Sequence, residues 1–239
     1  MGSWGEFSAW TIVEAMRDLI QGSDRLNELQ GDRISNLADA ARETNVFPMK
    51  NVVESPPFPL RNARLWPLSV AAYRVLGEAG LIPKNTELLY GFVYTKVSKS
   101  PFHSFLLQFL HEALSLRLPV GRLLRTEQPI TCGESEPEPD LAVVVGRKED
   151  FRHDHPRTAE LVIEVCITSQ DYDRSKLRAY ATANVKECWL VLGPEKQIEV
   201  SRQPKEEQFT EHSVHGPGST LTSSALPEFS LTLDDLFVK

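Results

Sequence analysis

The stretch Ala159-Glu-Leu-Val-Ile-Glu164-Val-Cys166, followed by Asp173-Arg-Ser-Lys176-Leu-Arg-Ala-Tyr180, decides how this chain is read. A short run of Leu, Val and Ile is the pattern of a buried strand. Glu164 interrupts it, and an unpaired carboxylate inside a strand buried on both faces is expensive. It therefore requires a partner, either a cation or a metal ion. Residues 171–183 then show helical spacing, with Leu177, Tyr180 and Ala181 on one face. Lys176 sits on that helix, close enough along the chain to fold back over the strand's end. It neighbours Asp173 at i−3 and Tyr180 at i+4. Taken alone, it would be a plain surface Asp–Lys pair.

A second acid precedes another apolar run, Pro139-Asp140-Leu-Ala-Val-Val-Val145. The fixed φ of proline keeps the chain extended where a strand begins, so Asp140 is presented at the strand's end. In isolation it would be a solvated aspartate. Two acids on neighbouring strands and one cation on an adjoining helix are what a metal-assisted phosphodiester hydrolase needs. Mg²⁺ is usually held by one or two carboxylates, with substrate phosphate and water completing the shell.

At 239 residues the chain is long enough to bury a full core. No apolar run approaches the roughly 18–20 residues that span a bilayer, so no membrane association is expected. The N-terminal residues lack a basic segment followed by an apolar core, which argues against a secretory signal. Cys132, Cys166 and Cys188 are widely spaced and form no CxxC pair. That argues against a disulfide framework or a zinc site and fits a cytoplasmic protein. The net charge of −7 counts against nonspecific coating of nucleic acid. It does not exclude a nuclease, because metal-binding carboxylates add negative charge and a bound divalent ion inverts it locally.

Residues 6–45 read as helical, with Ile12, Val13, Met16, Leu19 and Ile20 near 3.6-residue spacing and a break at Gly22-Ser23. Ser55-Pro-Pro-Phe-Pro59 cannot continue a helix and reads as a linker. This predicts a helical extension over residues 1–63 and a domain over 64–239. Within the latter, helices are expected over 69–79, 102–118 and 171–183, and a hairpin or bulged strand over 87–97. Strands are expected over 122–130, 141–145, 161–166, 188–192 and 197–202. A polar loop should precede the last segment, 229–237. The fold class is α/β or α+β, a central mixed sheet flanked by helices. Loops are expected at the acidic run Glu134-Glu136-Glu138 and at His153-Asp154-His155. His103, at a helix start, reads as structural, and Cys166 as a buried inert thiol.

Together these pieces resemble the Uma-two family of restriction-endonuclease-like proteins, within the PD-(D/E)XK nuclease superfamily. The likeness covers roughly residues 64–239. It runs through Leu65–Ala79, Glu87-Leu-Leu-Tyr-Gly91, Pro101-Phe-His103-Ser and Pro139-Asp140-Leu-Ala-Val-Val. It is densest from Ala159 to Val165, Asp173 to Ala181 and Asn184 to Val191, and it closes on Leu231 to Phe237. The resemblance implies a restriction-endonuclease-like core, Asp140 and Glu164 as metal ligands, Lys176 as the catalytic cation and Glu87 as an additional acid. It implies Mg²⁺ or Mn²⁺ as cofactor and DNA as substrate, with a homodimer left open. Two departures stand out. Cys166 occupies the position two after the glutamate where the superfamily often has lysine, and Asn184 replaces the family's usual turn glycine. The rival expectation is a non-catalytic binding or scaffold module that keeps the nuclease fold.

Overall fold

The computed structural model describes residues 66–237. The expected N-terminal helices, the proline linker and the boundary near residue 63 lie outside the described residues. Two compact units divide between Thr86 and Glu87. In the first, helix α1 (Val70–Glu78) starts on Ser69, whose hydroxyl accepts from the Ala72 amide at 3.1 Å, and it stops before Gly80 at φ +68°. That is the usual asymmetry of side-chain N-caps and left-handed glycine stops.

The second unit is built on a six-stranded sheet in the order β3-β4-β5-β6-β7-β8. The strands are β3 (Arg122–Thr126), β4 (Leu141–Val145), β5 (Leu161–Cys166), β6 (Glu187–Leu192), β7 (Gln197–Lys205) and β8 (Gln208–His215). Only β5 and β6 run parallel; every other neighbouring pair is antiparallel. A parallel pair needs a crossover, here helix α3 (Gln170–Thr182). Outside this sheet, β1 (Thr86–Leu89) and β2 (Phe92–Thr95) form a hairpin, and β9 (Thr220–Thr222) pairs with β10 (Ser230–Thr232). Helix α2 (Pro101–Ser115) precedes β3, and the short α4 (Leu233–Leu236) closes the fold.

The near-continuous apolar runs of β4, β5 and β6 are explained by burial on both faces. Leu141, Val143, Leu161, Ile163, Val165, Trp189 and Val191 join Leu106, Leu110 and Leu114 of α2 in one core. Ala142, Val144, Val162 and Cys188 join Ala179, Tyr180 and Ala181 of α3 in a second. Side chains alternate across a strand. Glu164 therefore shares the α3 side with Val162, and Asp140 shares it with Ala142.

Several expectations are corrected. Strand β3 ends at Thr126, not Ile130, because Glu127 turns the chain at φ +52°. The polar stretch before residue 229 contains β8 and β9. Phe209 is the one buried residue of β8, so this edge strand carries almost no hydrophobic alternation in its sequence. The acidic run is not a uniformly solvated loop. Glu136 is buried, bridges Leu88 through the backbone and accepts from the Thr131 hydroxyl, whereas Glu134 is exposed. The 87–97 segment resolves as a hairpin whose turn residues, Tyr90 and Gly91, both have positive φ, the signature of a tight two-residue connection. Asn184 adopts φ +54° just beyond α3, standing in for a turn glycine.

Candidate active site

One cleft of ≈ 300 Å³ gathers the sequence-nominated residues: Asp140, Glu164, Lys176 and Glu87 all line it. Their convergence follows from register. Leu141 pairs with Ile163, so Asp140, one residue before β4, lies beside Glu164. The Asp140 amide approaches Glu164 Oε2 at 3.4 Å. Glu87 enters from β1. Lys176 and Tyr180, one helical turn apart on α3, both reach Glu164.

Lys176 is not the surface pair that an isolated reading would give. Its side chain is 5% exposed, and its ammonium lies 3.1 Å from Glu87 Oε1, 3.3 Å from Glu164 Oε1 and 3.2 Å from Asp173 Oδ1. Three carboxylates surround the ammonium, and its contact with Glu164 is a hydrogen bond. Burial depresses its pKa, but the carboxylates outweigh that and hold it well above the usual lysine range. Glu164 is fully enclosed. Burial pushes its carboxyl up to about 8; Lys176 opposes the rise, and Asp173, Asp140 and Glu87 add to it. Tyr180 donates to Glu164 Oε1 at 2.6 Å. Glu87 Oε1 also accepts from Tyr172 at 2.9 Å, and Glu87 Oε2 accepts from the Glu138 amide at 2.9 Å.

Asp140 behaves oppositely. Burial would raise it, but the hydrogen bond and charge of His103, the charge of Lys99 and the Val165 amide outweigh burial and hold it below the ordinary aspartate range. His103 Nε2 lies 3.1 Å from Asp140 Oδ2. An ionised carboxylate only accepts, so Nε2 carries the hydrogen. The other ring nitrogen, Nδ1, is buried without a hydrogen-bond partner. Ser100 caps α2 by accepting from the His103 amide at 3.2 Å, which fixes where the imidazole starts.

Reading the residues in sequence order thus missed several members of the cleft. His103, expected to be structural, touches Asp140. Lys96 pairs with Glu138, and Lys99 pairs with both Glu127 and Asp140. Lys96 and Lys99 sit in an irregular segment without a legible signal, whereas the i+4 spacing from Lys176 did mark Tyr180, which supports Glu164. Cys166 is fully buried beside Leu190 and Leu192, and burial drives its thiol pKa upward. Arg174 pairs with Asp171 and Glu199, and Arg178 pairs with Glu207, away from the cleft as their helix positions predict. His153 and Asp154 are exposed in the loop before β5.

Six carboxylates and three lysines line the cleft, an excess of negative charge. The donor set suits a hard divalent cation, since Asp140 and Glu164 offer oxygen only. Among the described residues no group of three or more His, Cys, Asp or Glu is arranged as a metal cage. Such an ion would therefore rest on these two carboxylates, with the remaining ligands drawn from water and substrate, as suits Mg²⁺ rather than zinc.

A family described as "Putative restriction endonuclease", Uma2, matches residues 82–234. The chain belongs to that family. The match spans the cleft, β4, β5 and α3. Among solved structures, a putative nuclease belonging to DUF820 from Anabaena variabilis ATCC 29413 superposes with a TM-score of 0.58 at 20% identity. The superposition covers 68% of this chain and 96% of that one, and at that identity it speaks for the fold: a nuclease fold around a central mixed sheet. No curated protein matches the chain. Among the described residues no helix is long and apolar enough to cross a membrane.

Proposed function

We propose that this Uma2 protein is a divalent-metal-dependent endonuclease that hydrolyses DNA phosphodiester bonds, with Asp140 and Glu164 holding Mg²⁺ or Mn²⁺. The observation that carries the reading is the meeting of Asp140, Glu164 and Lys176 on one face of the sheet, in a cleft with surplus negative charge. Buried carboxylates in excess of their cations call for a further positive charge. When bound, a divalent ion supplies Lewis acidity to a phosphodiester and acidifies water. His103 and the Val165 amide fix Asp140 Oδ2. Tyr180 and Lys176 fix Glu164 Oε1. Lys176 brings positive charge to the cleft floor, where it steadies negative charge developing on phosphate, and Glu87 is the acid that orients its ammonium. The chain is cytoplasmic on this reading and acts as monomer or homodimer.

One observation favours a second reading, a non-catalytic scaffold. The Lys176 ammonium is already paired with three protein carboxylates, and Cys166 contributes no cation in its place. Calorimetric titration of Mn²⁺ into the parent and its Asp140→Asn variant, with a plasmid-nicking assay on both, separates the two. Mn²⁺ binding and nicking that both vanish in the variant support the nuclease. A parent that binds no Mn²⁺ removes it.

A further inference from the structure

The two oxygens of Asp140 are held by groups of different kinds. Oδ2 faces the His103 imidazole at 3.1 Å and the Val165 amide at 2.8 Å, both fixed parts of the folded frame. Oδ1 has one hydrogen-bond partner among the described residues, Lys99 Nζ at 3.1 Å. Lys99 lies in the irregular segment between β2 and the N-cap Ser100. Its side chain retains 37% of its exposure, and its ammonium also meets Glu127, which is 43% exposed. A lysine is a point charge on a flexible four-carbon stem. Half-exposed pairs of this kind hold weakly, unlike the buried Lys176 cluster.

We infer that Lys99 is an exchangeable counter-ion: it occupies Asp140 in the metal-free protein, yields that oxygen to a divalent cation, and then binds the substrate's phosphate. The inference rests on the metal reading above and adds a residue and a function to it. Its logic is charge. With Asp140 shared by a divalent ion, Lys99 keeps only the solvated Glu127 as partner, and its ammonium is released at the mouth of a cleft otherwise rich in carboxylates. Phosphate approaching such a cleft needs a free cation at the rim. Lys96 is the poorer candidate because it is more enclosed, paired with Glu138 and depressed in pKa by burial and the neighbouring lysines.

The two roles push one substitution in opposite directions, and a merely structural side chain would not do that. In the full-length protein, Lys99→Met keeps the stem and removes the charge. Mn²⁺ affinity by calorimetry should tighten roughly two- to fivefold, the range for losing a partly exposed competing ion pair. Affinity for a phosphorothioate duplex in the presence of Mn²⁺ should fall by about tenfold, and the slope of log affinity against log salt should shrink by about one. Lys99→Arg should keep the DNA affinity near the parent's. If the parent binds Mn²⁺ and Lys99→Met binds it no tighter, the counter-ion role is overturned. If the DNA affinity and salt slope are unchanged, the phosphate role is overturned. A parent that binds no Mn²⁺ overturns the metal reading itself and this inference with it.

Discussion

Tyr180 Oη donates to Glu164 Oε1 at 2.6 Å, one helical turn beyond the lysine that contacts the same oxygen at 3.3 Å. A helix face and a strand position are thus joined through a single carboxylate oxygen, and both ends are buried. The Tyr180→Phe variant keeps the ring and removes one donor. At neutral pH, where Glu164 keeps its proton, it should lose about 0.5–1.5 kcal/mol, the range for a hydrogen bond between neutral groups, and its melting temperature should drop by a few degrees. An unchanged melting temperature would show that the hydroxyl does not hold Glu164.

Lys176 is the shared counter-ion of Glu87, Glu164 and Asp173. Lys176→Ala should lower cleavage by about 10²–10³, the range for losing one electrostatic stabiliser. It should also destabilise the metal-free protein by about 3–5 kcal/mol, because three buried carboxylates lose their cation. A plasmid-cleavage assay checks the first, and thermal melts with and without Mn²⁺ check the second, since the divalent ion should recover part of the lost stability. A variant that melts and cleaves like the parent would overturn the assignment of Lys176.

The pH dependence of the metal-free protein follows from Glu164, whose carboxyl rises from 4.5 to about 8 in the folded state. Between those values the folded protein keeps a proton that the unfolded chain has released. Stability therefore falls as pH rises through that window and is greatest, for this group, below it. The lowered Asp140 acts only below the ordinary aspartate range, and Lys176 stays charged throughout. Denaturant melts of the parent from pH 5 to pH 8 should show the decline, and Glu164→Gln should flatten it. Mn²⁺ affinity should climb over the same interval, because a ligating carboxylate must first lose its proton.

Glu187 offers a control remote from metal chemistry. It is fully buried, accepts from Trp189 and Arg202 at 2.8 and 3.0 Å, and anchors the 223–225 loop through Ser223 Oγ, Ser224 Oγ and the Ser224 and Ala225 amides at 2.8–3.0 Å. Burial would raise its carboxyl, yet these donors hold it below the ordinary range. Glu187→Gln should destabilise by about 1–3 kcal/mol by weakening the loop anchor and the Arg202 contact, while Arg202 keeps Glu211 and the Thr222 carbonyl. Mn²⁺ affinity at low temperature should stay at the parent's value, and any loss would tie this loop to the site.

A chain beginning at residue 64 should fold without the preceding residues, since the family match begins at residue 82. Expression of that shorter chain, followed by a cooperative melt, is the measurement. Aggregation of the short chain beside a well-behaved full-length protein would place the N-terminal residues in the core.

The local chemistry of the sequence determined the parts. The Val- and Ile-rich runs of β4, β5 and β6, the helical stretch over 102–118, the turn at Asn184 and the oddness of an acid at Glu164 are all readable from neighbouring residues, because apolar runs, helical spacing and turn chemistry are short-range features. Edge strand β8 was not readable, since its pairing with β7 is a backbone property and only Phe209 among its side chains is buried. Tertiary structure alone decided which charges meet. The register of Leu141 on Ile163 sets Asp140 beside Glu164, the crossover of α3 lays Lys176 and Tyr180 over them, and the start of α2 delivers His103 and Lys99 to Asp140. Pairing of residues distant along the chain depends on how strands and helices stack, and that information belongs to no single segment of the sequence.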